Sequence, residues 1–164
     1  FNTLFSYIDQ LNLQIYTPLK FVQKSKLSKY VDLNSSQGKI WENREAGRNV
    51  LMITNLLKRA ESSVYAFRET VERLNEHIIK TMNNIDRFDQ GRAQNFDFSE
   101  IMTDITEIDD DDNDSDYTVG KDLKIELGDI DRISWREKLS ADHEILEELL
   151  EKIRTITPDR KSVV

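Results

Sequence analysis

The sequence predicts an all-α protein, an elongated helical bundle or hairpin with one long central helix and a disordered acidic loop. Three observations predict it. From Val50 to Ile85 apolar residues recur at alternating steps of three and four: Val50, Ile53, Leu57, Ala60, Val64, Phe67, Val71, Leu74, Ile78 and Ile85, with Thr81 at the weak position. This is heptad spacing, the mark of a helix with a narrow buried seam. A second seam near the carboxyl end carries Trp135, Leu139, Leu146, Leu149, Ile153 and Ile156. The stretch from Lys121 to Leu127 alternates weakly, but a single strand has nothing to pair with, so it is read as irregular.

The first helix is expected over about 2–16, with Leu4, Ile8, Leu11 and Ile15 on one face. Thr17 followed by Pro18 reads as an N-cap with proline at the first helical position, where its missing N–H is not needed. A second helix, 18–31, follows, with Leu19, Val22 and Tyr30 inside and Lys20, Lys24, Lys26 and Lys29 outside. Asn34 to Gly38 is a break by composition. The long helix spans about 40–90 and ends near Gly91, which takes the left-handed C′ conformation readily. Such a rod cannot offset its own ordering entropy with one narrow seam, so it needs partner helices.

Asp97 and Glu100 have capping-box spacing and open a helix over 97–108 through Ile101, Ile105 and Ile108. The aspartate run Asp109–Asp112, continued by Asp114 and Asp116, repels itself, and 109–122 is expected to be a disordered loop. Ser134 and Glu137 form a second capping box for a helix over 134–156 that stops before Pro158. This last seam is the natural partner of the long helix. The two amino-terminal helices are expected to pack at one end of the bundle.

The 164 residues suffice for one domain with a core, assigned to 1–160. The chain starts at Phe1 inside an amphipathic helix and runs out after Pro158, so it reads as a piece of something larger, with 161–164 a boundary or foreign tail. There is no cysteine, which removes disulfide scaffolds, thiolate zinc sites and thiol nucleophiles. No apolar run approaches the roughly 20 residues of a membrane span, and a soluble cytoplasmic protein is expected. The net charge of −8 is uneven: bases outnumber acids from Thr17 to Arg92, whereas from Ala93 to Asp131 the only bases are Lys121 and Lys124. A local basic face acts within a Debye length of about 8 Å, so an anionic partner stays open.

No complete catalytic motif is present, and no catalytic residue is assigned. The five scattered glycines cannot form a phosphate-cradling loop. His77 and His143 sit on facing predicted helices with Glu76, Asp142 and Glu144 near them in sequence, a conceivable two-histidine carboxylate metal set. Helical histidines on polar faces are usually solvated, and no metal site is assigned. A calcium loop starting at Asp111 has Asp116 where glycine is needed. Trp41 and Trp135 read as core or interface anchors. Lys58 and Arg59 suit phosphates or an acidic neighbour, with Ser62 and Ser63 as hydrogen-bond donors to the same group. Taken alone, these four residues fit an ordinary solvated helix face better than a binding site.

The block Asn55-Leu56-Leu57-Lys58-Arg59-Ala60-Glu61-Ser62-Ser63, running on to Leu74, resembles the helical segment between the two RecA-like lobes of bacterial Swi/Snf-like superfamily-two helicases, which are DEAD/DEAH-type ATPases. Leu11 to Pro18 and Ile153 to Arg160 are similar to the flanking stretches of that segment. Ala60 stands where the family block has leucine, and the continuation into the second lobe is missing from Lys161 onward. The resemblance implies a non-catalytic helical domain of an ATP-dependent nucleic-acid helicase or translocase, bracing the ATPase lobes. It implies RecA-like lobes of the same parent chain as partners, and a DNA or RNA backbone contact through Lys58, Arg59, Ser62 and Ser63. ATP and magnesium would belong to the parent, with no cofactor in this segment. The alternative is a free-standing helical interaction module of the coiled-coil kind; the segment alone is expected to be a monomer or weak dimer.

Overall fold

In the computed structural model, which describes residues 2–31, 40–108 and 123–156, the two seams meet. Helix α3 (Val64–Asp89) and helix α5 (Arg132–Ile156) share the most extensive contact between elements. Phe67, Val71, Leu74, Ile78 and Ile85 of α3 are buried, as are Trp135, Leu139, Leu146, Leu149 and Ile153 of α5. Removing these side chains from water is the main force holding the pair together. Ile156, by contrast, is half exposed at the end of α5. The fold is an all-α bundle with one small two-stranded sheet. No described helix is long and apolar enough to cross a membrane.

The expected single rod over 40–90 is two helices. Helix α2 (Ile40–Ser62) ends where Ser63 turns extended, and α3 begins at Val64. The Ser63 hydroxyl oxygen accepts from the Ala66 N–H at 3.2 Å, which makes it the N-cap of α3. Serine competes locally for backbone donors, so a serine pair is a sound place for a helix to restart. Gly91 follows the end of α3 with φ 75°, as its position after the last periodic residue predicts.

The buried stripe of α2 also differs from the heptad. Its core positions are Glu45, Arg48, Met52, Leu56 and Ala60, while Val50 is 66% exposed and Ile53 and Leu57 are half-buried flanks. Leu51, Met52, Ile53, Leu56 and Leu57 make a broad apolar face, and α1, α3 and α4 decide which portion of it lies deepest.

The amino-terminal segment departs most. Helix α1 (Asn2–Gln10) stops well short of residue 16, because Leu13 takes a left-handed conformation, φ 52° and ψ 44°. The chain continues in three short 3-10 turns, Gln14–Tyr16, Pro18–Phe21 and Lys24–Lys29, rather than as a helix over 18–31. Thr17 precedes Pro18 as expected but makes no side-chain cap; its hydroxyl donates back to Gln14. Around Val22 the backbone is extended and pairs with Ile130: the Gln23 N–H donates to the Asp129 carbonyl at 2.8 Å and the Asp131 N–H to the Phe21 carbonyl at 2.7 Å. Those long-range bonds are incompatible with a continuous helix.

Strand β1 (Asn95–Asp97) pairs antiparallel with β2 (Lys124–Glu126), in register Asn95↔Glu126, Phe96↔Ile125 and Asp97↔Lys124. Within the stretch read as irregular, Lys124–Glu126 is therefore a strand, whose partner is only three residues long. Phe96 and Ile125 point into the core, where Phe96 meets the Trp135 ring edge-on at 5.0 Å. Helix α4 (Ser99–Ile108) follows, with the Asp97 carboxylate accepting from the Ser99 N–H. Helix α5 starts before the predicted Ser134: Asp131 caps it, accepting from the Ser134 N–H and hydroxyl. The acidic loop 109–122 with the Asp111 calcium candidate, the break at 34–38 and the tail 161–164 lie outside the described residues.

Because Ser63 caps α3, Ser63→Ala should lower stability by about 1 kcal/mol, whereas Ser63→Asp should be close to neutral. Thermal unfolding monitored by circular dichroism reads this directly; an alanine variant as stable as the parent would remove Ser63 from its capping role.

Candidate functional site

The four residues of the family-like block sit at the end of α2 and in the cap of α3. Lys58 is exposed at the end of α2, with no ion pair among the described residues. Arg59 is half-buried and its Nε lies 3.4 Å from the Asn55 side-chain oxygen one turn back. Ser62 is exposed and its hydroxyl turns to the Arg59 carbonyl. Ser63 is committed to the α3 cap. Lys58 and Arg59 remain able to meet an anion from the outside, and Ser63, whose oxygen accepts in the cap, keeps its O–H hydrogen as a donor.

Two of the buried acids, Asp142 and Glu45, hold backbone. Asp142 of α5 is fully buried, and its Oδ1 accepts the Asn12 N–H at 2.9 Å. The N–H groups of Leu13 and Gln14 face the same carboxylate, although Oδ2 has no aligned donor among the described residues. Burial raises the Asp142 carboxyl above its ordinary value, opposed by those N–H groups. Glu45 of α2 does the same for the turn at Pro18, accepting from the N–H groups of Leu19 at 2.8 Å and Lys20 at 3.1 Å. Burial pushes Glu45 from its ordinary 4.5 up to about 7, against the two N–H bonds and the nearby Arg48 and Lys20 charges. Arg48 in turn sits over the Phe98 ring, 5.3 Å from its centroid.

Another buried cluster joins side chains from three elements. Asp104 of α4 is buried, and its Oδ2 accepts from the Tyr16 hydroxyl at 3.1 Å and lies 3.0 Å from His77 Nδ1. The Arg73 Nε stands 3.1 Å from Oδ1, as an ion pair rather than an aligned hydrogen bond. Burial and the adjacent Asp104 charge hold the Tyr16 phenol well above its ordinary value, so it remains a donor. His77 also lines a cleft of about 530 Å³ between α3 and the β1–α4 segment. Lys80 and Arg87 stand on its α3 wall, and Asp97 and Glu100 on the other.

The two histidines have different partners. His143 Nδ1 meets the Asn75 side-chain oxygen at 2.8 Å, and the Asn75 amide donates to Glu147. Among the described residues no group of three or more histidine, aspartate or glutamate side chains is arranged to hold an ion. Trp135 is a core anchor whose indole N–H donates to the Gln14 carbonyl; Trp41 is partly buried against the core. Sequence reasoning missed Asp104 and Tyr16. The available signal was an aspartate beside Ile101, Met102 and Ile105 on the inner face of a short helix, since such a carboxylate is buried only with partners.

No family model, curated protein or solved structure matches the chain.

The raised Glu45 pKa has a signed consequence. Its folded value exceeds the unfolded one, so its contribution to stability is full below about pH 4.5 and is lost as the pH rises through about 7. At about 1.4 kcal/mol per pKa unit, the loss is about 3 kcal/mol. Glu45→Gln keeps an acceptor without the titration and should flatten the pH dependence of the melting temperature across that window. An unchanged pH profile would show that Glu45 does not titrate there.

Proposed function

We propose that the chain is a non-catalytic helical domain of an ATP-dependent nucleic-acid helicase or translocase, bracing the ATPase lobes of its parent and touching nucleic-acid backbone through Lys58 and Arg59. What supports the reading is the setting of the family-like block at the junction of α2 and α3. Leu56 and Ala60 are sunk in the core there, while Lys58 is presented to the outside and Ser63 fixes the restart of α3. A capped junction between two packed helices passes displacement from one to the other with little loss, which suits an element seated between lobes that close on ATP. ATP and magnesium belong to those lobes in this reading. The buried acids Asp142 and Glu45 serve backbone rather than substrate, in keeping with a mechanical role.

The second reading, a free-standing interaction module, has its own observation. Val50 on α2 and Tyr65 on α3 are each 66% exposed, and the half-buried Ile53 and Leu57 continue the apolar surface from Val50.

In the parent protein, Lys58→Ala with Arg59→Ala should weaken DNA or RNA binding and reduce the slope of log affinity against log salt by about 1 to 2. Identical affinity and slope would remove these residues from the nucleic-acid contact. Sedimentation of the isolated chain over a range of concentrations tests the second reading, which requires self-association or a stable complex; a monomer that restores ATPase coupling only when joined to its lobes favours the first.

A further inference from the structure

The cleft beside the Tyr16–Asp104–His77 cluster has features that packing does not explain. His77 is nearly buried, yet only one of its ring nitrogens is used: Nδ1 is tied to Asp104, and Nε2 has no protein partner among the described residues. The two nitrogens of an imidazole point nearly oppositely, so anchoring Nδ1 toward the core turns Nε2 toward the cleft that His77 lines. Asp104 is itself held by Tyr16 and flanked by Arg73, which fixes the imidazole before any ligand arrives.

The walls differ in chemistry. The α3 wall supplies His77, Lys80, Asn84 and Arg87, at positions that share one helix face, so donors run along about 15 Å of helix, although one N–H of the Asn84 amide already goes to the Asn95 carbonyl at 3.3 Å. Lys80 meets Glu100 across the cleft at 3.0 Å, both ends being well exposed, and such a pair yields readily to a ligand. The Arg87 side chain has no partner among the described residues. The opposite wall carries the Glu100 carboxylate and that of Asp97, whose Oδ1 already accepts the Ser99 N–H; carboxylate oxygens accept from hydroxyls. At about 530 Å³ the cleft lies in the size range of small-ligand sites.

We propose that this cleft binds a ribose-phosphate unit, with the phosphate on the α3 donors and the sugar hydroxyls on the carboxylate wall. Arginine, lysine and asparagine are the usual side-chain partners of phosphate oxygens. A carboxylate is the usual acceptor for a ribose hydroxyl, as in dinucleotide sites. The His77 Nε2 completes the set at the inner end. Such a unit occurs in a free ribonucleotide and in an RNA strand, and both present the same chemistry. The site uses none of the four residues of the Lys58 block, so its failure and the failure of the helicase reading are separate results.

The chain has only two histidines, which makes the test direct. The imidazole resonances of the intact chain are followed by NMR during addition of AMP, 2′-deoxy-AMP and a short oligoribonucleotide, with His143 as the internal reference. The expected result is a saturable shift of His77 with His143 unmoved, affinity about tenfold lower for the deoxy compound, and at least a fivefold loss in Arg87→Gln at unchanged melting temperature. Saturation by AMP assigns the cleft to a free nucleotide; saturation by the oligoribonucleotide alone assigns it to a strand. A His77 signal indifferent to all three at millimolar concentration overturns the proposal, as does undiminished binding by Arg87→Gln.

Discussion

A buried carboxylate on the last helix organises the amino-terminal stretch of the chain. Asp142 lies in the middle of the α5 seam, where an apolar residue would otherwise continue the heptad, and it is fully buried. A charge there requires hydrogen-bond donors, and the backbone at Asn12, Leu13 and Gln14 supplies them. To present those N–H groups the chain must leave the α1 helix and take Leu13 through left-handed space, at about 1 kcal/mol for a residue with a Cβ. The Leu13 side chain is itself fully buried, which offsets that strain. The ensuing turn brings the Gln14 carbonyl to the Trp135 indole and Tyr16 to Asp104. The same carboxylate therefore explains why α1 ends early and how the buried polar cluster is assembled.

Glu45 repeats the device on α2, taking the N–H groups of Leu19 and Lys20 and so fixing the turn that begins at Pro18. Between them the two acids bind an amino-terminal segment that has little regular structure of its own. This arrangement stands apart from the α3–α5 contact, where apolar area dominates and the order of residues along each helix is sufficient. It also accounts for the charge reading: several of the acids inside the bundle are structural, whereas Lys58 and the Arg87 side chain are left to the surface.

The mechanical reading and the cleft are compatible in physical terms. A capped joint between α2 and α3 keeps the block around Lys58 in a defined orientation, and the α3 face that carries His77 and Arg87 belongs to the same stiff helix. A ligand seated against α3 and β1–α4 would bridge two elements whose packing depends on Asp104. Binding there would stabilise the bundle by mass action, with no conformational change required.

Helical structure through 64–89 and 134–156, its inner faces, the Gly91 stop and the all-α class were legible in the sequence, because a 3.6-residue repeat and a glycine C′ are local properties of the chain, whereas the break at Ser63 that makes α3 a helix of its own was not. Ser63 was visible too, but its role as an N-cap was decided only by the backbone turning extended there. The α2 stripe was read correctly at Ala60 and one step off at Ile53 and Leu57, since several apolar residues share its face and the neighbouring helices select Met52 and Leu56 for the core. The 3-10 turns at 18–29, the Val22–Ile130 bridge, the β1–β2 pairing and the Asp104 cluster depend on groups far apart along the chain. Periodicity reports which face of an element is apolar, and that much the sequence by itself determined. Which polar group meets which backbone was settled only by tertiary structure, because a buried charge takes its donors from whatever segment the fold brings within hydrogen-bond reach.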